Sequence, residues 1–287
     1  MSNTTAPKVY DCFCYFNEDM LLELRMEILW DHVDYFVIAE SRYTQVGDPK
    51  PLNFDIRRFE RFKDKIRYLE VDHLPPGPPD YWKNENYQRS YLINGLHDAR
   101  PDDLILVSDL DEIPRPECIL LYDPSRYLRA DLHQYCYAYF LNNRLLENDG
   151  FADWIGTRIT TLRHLKQFFN NVNAVRSYKS SGLLRSLKRS WFRKYRVQHV
   201  RDAGWHFSWV TSPEMMIVKM KSIADQKFVK PEFQDQQFIE SRIRSGKDVL
   251  DRPLRYAPQP VEAPQFPTQI TGARDKYATW LIEPAAH

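Results

Sequence analysis

An α/β fold, a mostly parallel sheet flanked by helices, is predicted by three observations. Over residues 9–108 apolar runs and helical patterns follow one another as strand, helix, strand, helix, strand, helix, strand, the signature of parallel strands joined by right-handed crossovers. The run Leu104-Ile105-Leu106-Val107 is apolar throughout and bounded by turn-formers, as in a strand covered on both faces. That strand runs directly into Asp109, Asp111 and Glu112, with Pro114 ending it. Unpaired buried charge is costly, so carboxylates gathered at a strand end call for a cation.

The elements follow in order. Residues 9–16 read as the first strand, with Asn17, Glu18 and Asp19 as turn and cap. Residues 20–30 form a helix whose apolar stripe is Leu21, Leu22, Leu24, Ile28 and Leu29. Arg25 falls in the middle of that stripe, so it is expected to be buried and bonded to a carboxylate or to main-chain carbonyls near the strand ends, with Glu40 a leading partner. Residues 33–39 and 66–71 are the second and third strands, with a short helix over 55–62 between them. The proline-rich stretch 73–81 reads as a loop, and 84–97 as a helix carrying Gln88 and Arg89. The second half is less regular. Strands are expected over 134–141, 155–161 and 204–210, a basic helix over 180–191, and helices from Pro213 and over 231–245. From about residue 251 prolines dominate and a loose tail is expected.

Composition narrows the function. The 287 residues carry a net charge of +1, with 43% hydrophobic and 14% aromatic residues, enough for a sizeable core. Residues 1–8 are short and polar and no run is long and apolar enough to span a membrane. Cytoplasmic location is therefore expected, and the four cysteines are read as reduced. Nine glycines and no glycine-rich phosphate loop argue against P-loop and dinucleotide-fingerprint proteins. Between Asp153 and Asp202 there is no acidic residue, while Arg158, Arg163, Lys166, Arg176, Lys188, Arg189, Arg193 and Arg201 accumulate. Such a block implies an anionic neighbour and is expected to form one positive surface beside the site, for an anionic or lipid-linked acceptor.

In parallel sheets ligands sit beyond the carboxyl ends of the strands. Asn17, Glu18, Glu40, Asp109 and Asp111 lie at those ends, and their convergence points to an enzyme. Oxygen ligands suit Mg²⁺ or Mn²⁺, which hold phosphate; a histidine ligand tilts the choice to manganese.

Several segments together resemble glycosyltransferase family 17. They are 10–18, 22–25, 34–41, Lys50-Pro51-Leu52, Glu85 with Gln88-Arg89, 108–114 and Gly204-Trp205-His206-Phe207-Ser208. The resemblance covers roughly residues 10–238. It implies a GT-A-like, Rossmann-like domain over 1–250, with a nucleotide-sugar half over about 8–115 and an acceptor half over about 116–250. It implies metal-dependent, inverting transfer of a sugar, N-acetylglucosamine from UDP-N-acetylglucosamine, to a hydroxyl of a glycan. Animal members carry a membrane anchor that is not read here, which points to a bacterial or viral glycan acceptor and admits a peripheral membrane contact.

On this reading the donor site draws on Asn17, Glu18, Arg25, Glu40, Arg89 and Asp109, and the metal site on Asp109, Asp111 and His206. Arg89 either reaches the diphosphate or pairs with Glu85 one turn away. Glu40 and Asn17 line a nucleoside pocket or cap local turns. His206 is a ligand or a satisfied core residue. The base is sought among Glu112, Glu147, Asp153 and Asp235, with Asp153 first because Trp154 beside it can stack on a sugar, and Glu147 second. A metal-dependent phosphatase and a non-catalytic sugar- or nucleic-acid-binding protein are the competing functions. No nucleic-acid motif accompanies the basic block, so no nucleic-acid partner is expected.

Overall fold

The computed structural model describes residues 6–147, 150–177, 192, 196–226, 229–262 and 264–283. Strands β1 (Val9–Cys14), β2 (Tyr35–Ser41), β3 (Ile66–Val71) and β4 (Leu104–Val107) form the first half. They lie in the order β3-β2-β1-β4, all parallel. Helix α1 (Asp19–Leu29) makes the first crossover. A 3-10 segment, Ile56–Lys65, capped by Asp55, makes the second. Helix α2 (Tyr81–Tyr91), capped by Asp80, precedes β4 and carries Arg89. Its first residue lies inside the stretch expected as loop, because the Asp80 carboxylate satisfies the Lys83 N–H and lets the helix start early.

The second half is mixed rather than parallel. Strands β5 (Glu112–Pro114), β6 (Arg129–Ala138), β7 (Asn143–Glu147), β8 (Gly150–Phe151) and β9 (Asp153–Thr161) come first. Then follow helix α3 (Val172–Arg176), β10 (Val197–Val200), β11 (Gly204–Ser208), α4 (Pro213–Ser222), α5 (Gln236–Arg244) and β12 (Arg255–Pro258). β9 runs antiparallel between β4 and β6 and so joins the two halves into one sheet. β11 pairs with both β5 and β6, antiparallel to the first and parallel to the second.

The segment beyond 251 departs from the loose tail expected of it. β12 pairs with β7, and helix α6 (Thr268–Thr271) and the 3-10 turn after it pack against α1. Val261, Phe266, Ile270 and Tyr277 join the same core as Leu22 and Leu29, and Tyr277 Oη donates to Glu27 at 3.1 Å. Prolines set the turns there, and the apolar residues spaced between them supply the burial that anchors the chain. Cys12, Cys118 and Cys136 are free thiols in the core, and Cys14 is free and half-buried. The expected basic helix over 180–191 lies outside the described residues.

Gly204 opens β11 at φ +135°, and a Cβ there would stand 2.2 Å from the Ile113 carbonyl oxygen. The Gly204→Ala change is expected to cost about 1–3 kcal/mol of stability, read as a lower urea midpoint. It also pries β11, and His206 with it, from β5; an unchanged midpoint would mean that β5 yields at no cost.

Candidate active site

The strand order reverses between β1 and β4, and a crevice opens there at the strands' carboxyl ends. The segments leaving these two strands form its floor, and β11 and α4 close it from the other half. The cleft has a volume of about 370 Å³ and is lined by Glu18, Arg89, Asp109, Asp111, Trp154, His206 and Lys219, among others.

The turn that carries the two aspartates is held from behind by one side chain. Arg25 is fully buried and forks onto Asp11, Nε to Oδ2 at 2.7 Å and Nη2 to Oδ1 at 2.6 Å. Its Nη1 donates to the carbonyls of Asp109, Leu110 and Glu112 at 2.9–3.1 Å, and its Nη2 to Ser108 Oγ at 2.6 Å. Burial and pairing of Arg25 are as the stripe on α1 implies. The partner differs: Asp11, which projects from the middle of β1 toward α1, takes the place expected of Glu40. Arg25 therefore shapes the site without lining the cleft, and its assignment as a donor-binding residue is withdrawn.

The two aspartates part company. Asp109 Oδ1 accepts from Arg89 at 3.0 Å and Oδ2 from Arg176 at 2.9 Å. Its enclosure pushes the carboxyl up, but Arg176 and Arg89 more than reverse this and hold it well below the usual carboxylate range. Glu112 is fully buried beside it, accepting from both Nη atoms of Arg176, from the Asp109 N–H at 2.9 Å and from Trp154 Nε1 at 2.7 Å. Asp111 faces the cleft, and His206 Nε2 stands 3.7 Å from its Oδ1. Burial raises the Asp111 carboxyl above its ordinary value. Burial alone would lower His206, but the Asp111 carboxylate lifts it to about 9. Lys219 reaches in from α4 to Glu18 Oε1 at 3.1 Å. Burial would lower its ammonium, and Glu18 and Asp111 raise it.

Two of the three expected metal ligands, not all three, are turned to the cleft, since the Asp109 carboxylate is taken by Arg89 and Arg176. Among the described residues no three His, Cys, Asp or Glu side chains come together as a metal site. The repulsion between neighbouring acids, which at the sequence level demands a cation, is met at Asp109 by Arg89 and Arg176. That leaves Asp111 and His206 as the oxygen and nitrogen donors turned to the cleft.

The remaining expected residues fall in different places. Glu18 lines the cleft, held by Lys219 and by the backbone N–H groups of Phe16 and Asn17. Glu40 is fully buried and accepts from Lys50, Tyr68 Oη and the N–H groups of Asn53 and Phe54, so it anchors the 50–54 loop. Arg89 pairs with Glu85 at 2.8 Å and also lines the cleft. The base candidates fare less well. Trp154 faces the cleft, so on a pleated strand Asp153 points the other way, 3.9 Å from both Arg144 and Arg201. Glu147 is exposed at the end of β7 and Asp235 caps α5. Glu112 is consumed by its partners.

Lys219 and Asp11 are not among the residues the sequence points to, and Arg176 figures there only as part of the basic block. Lys219 carried a usable signal: like Arg25, it lies beside the buried residues of its helix, Met216 and Met220. Arg158 and Arg176 turn inward, so the basic block is not one positive surface at those positions; Lys188, Arg189 and Arg193 lie outside the described residues.

Residues 1–154 match the sequence profile of glycosyltransferase family 17, more than half of the chain. The chain belongs to glycosyltransferase family 17. Curated relatives include beta-1,4-mannosyl-glycoprotein 4-beta-N-acetylglucosaminyltransferase of Rattus norvegicus and of Homo sapiens, each 27% identical over 92% of this chain. The alignment takes in 52% and 53% of those proteins, so the chain spans about half their length. Among solved structures, 4-diphosphocytidyl-2C-methyl-D-erythritol synthase aligns with a TM-score of 0.40 at 13% identity, over 75% of this chain and 98% of that one. The WbbM bifunctional glycosyltransferase aligns at 0.35 and 12%, over 70% of this chain and 39% of that one. At such scores the likeness decides nothing. The family's match ends at Trp154, and the curated relatives carry it across the half that holds His206 and Lys219.

Proposed function

We propose that this chain transfers a sugar, N-acetylglucosamine, from a UDP-linked donor to a hydroxyl of a glycan with inversion. The observation that carries the reading is the charge pattern of the cleft. Arg89 and Lys219, two cationic side chains, face one crevice beside the Asp111–His206 pair at the strand-order reversal of a family 17 chain. A departing nucleoside diphosphate gathers negative charge as the glycosidic bond breaks, and fixed cations in a water-poor cleft favour that change. The curated relatives are named as N-acetylglucosaminyltransferases acting on mannosyl-glycoproteins, which supports the donor and the glycan acceptor. Asp111 and His206 would hold Mn²⁺ or Mg²⁺, which would supply further positive charge to the diphosphate. The GT-A-like description is supported by the β3-β2-β1-β4 order and by the aspartate pair after β4. Phosphatase chemistry at Asp109 is disfavoured, since both its oxygens are committed to arginines.

The test is a thermal-shift series with UDP-N-acetylglucosamine, UDP and other nucleotide sugars, with Mn²⁺ and after EDTA. A donor at a hundredfold excess over Kd should stabilise the chain by about 2.7 kcal/mol. The expected shift follows UDP and its N-acetylglucosamine conjugate and shrinks with EDTA. Shifts with no nucleotide sugar would remove the proposal; shifts indifferent to EDTA would remove the metal.

A further inference from the structure

We infer that Trp154 is a preformed platform for one pyranose ring, an inference that rests on the glycosyl-transfer reading for the class of its ligand. The residue is 43% exposed, yet it is not a loose surface side chain. Nε1–H donates at 2.7 Å to Glu112, whose carboxylate is fully buried and fixed on its other side by Arg176. The ring also lies against His206, centroids 4.9 Å apart at 32°. One edge and part of one side are thereby committed to the protein, and the ring still lines the cleft.

A surface tryptophan normally leaves its N–H to water and its ring free to turn. Here the donor is spent on a carboxylate that folding has already placed, so the ring meets a ligand without losing rotamer freedom. A rigid apolar face beside charged groups suits a ligand with one C–H face and a polar rim. A pyranose is such a ligand: its axial C–H groups pack on the ring while its hydroxyls reach outward. A bare diphosphate has no such face. The same chemistry fits the sugar of the donor or a sugar of the acceptor, since Trp154 adjoins the His206–Asp111 pair.

The experiment is calorimetric titration of the whole chain and of Trp154→Ala and Trp154→Phe with four probes. These are UDP, UDP-N-acetylglucosamine, and the methyl glycosides of N-acetylglucosamine and mannose. Trp154→Ala should weaken a sugar-bearing probe about tenfold and UDP less than twofold. Trp154→Phe, which keeps a ring but loses the N–H bond, should fall between. A loss confined to the UDP-sugar assigns the platform to the donor, and a loss confined to a glycoside assigns it to the acceptor. Should Trp154→Ala fail to fold, Trp154→Phe and quenching of the wild-type tryptophan fluorescence by the same probes carry the test. Sugar affinities within twofold of wild type in both variants would overturn the platform while leaving the transferase reading standing. So would an equal loss for UDP and UDP-sugar. A wild-type chain that binds neither UDP nor UDP-sugar would overturn the transferase reading, and the glycoside titrations would still judge the platform. A wild-type chain that binds none of the sugar-bearing probes would overturn both.

Discussion

Arg25→Met should lower the stability of the chain by about 3–5 kcal/mol, the usual result of removing one member of a buried ion pair. The change leaves Asp11 charged at the centre of the core with 0% exposure. It also strips a donor from the carbonyls of Asp109, Leu110 and Glu112 at once. This second effect distinguishes Arg25 from an ordinary salt-bridge residue. A double replacement, Asp11→Leu with Arg25→Met, removes the stranded charge and should recover part of the loss. It cannot recover all of it, because the Leu110 carbonyl loses the Arg25 donor outright, while those of Asp109 and Glu112 are left with the Glu112 N–H and Thr157 Oγ1 alone. Urea unfolding of the single and double variants measures the difference. Full recovery in the double variant would mean that Arg25 serves Asp11 alone and that the 108–112 turn keeps its shape unaided.

Asp111→Asn is expected to separate activity from folding. Transfer, and the metal-dependent part of nucleotide binding, should fall a hundredfold or more, in the range about 10²–10³ seen when one preorganised electrostatic group is removed. The fold should hold, because the carboxylate is turned to the cleft and burial disfavours its charge. Asp109→Asn should behave differently. It weakens the anchor shared by Arg89 and Arg176, so stability falls along with transfer. Transfer assays set beside melting temperatures test both. Activity of Asp111→Asn within tenfold of wild type would remove Asp111 from the proposed chemistry, and equal melting losses in the two variants would erase the division of labour between the aspartates.

That division shows where reading a sequence stops. Local patterns carried a good deal. The apolar run before Asp109, the interleaved strands and helices and the cap residues foretold a parallel α/β half, because periodicity and capping act over a few residues. The arginine in the stripe of α1 foretold its own burial, since a helix face is set by spacing of 3.6 residues. The aspartate pair pointed to the edge where the candidate cleft opens, because crossover handedness gathers strand ends at one edge.

Local spacing thus specifies the parallel half, the strand end at which the candidate cleft opens and the residue types offered there. Pairings over long separations belong to the tertiary structure alone. Asp11 rather than Glu40 meets Arg25 because β1 lies beneath α1 in the folded sheet. Arg176 reaches Asp109 from 67 positions away and takes the counter-ion role that Asp109 had suggested for a metal. Lys219 meets Glu18 across 201 positions, and the proline-rich end docks on α1 through side chains spaced too irregularly to show a period. Charge neutralisation and burial depend on which surfaces come to face each other, and local spacing does not encode that.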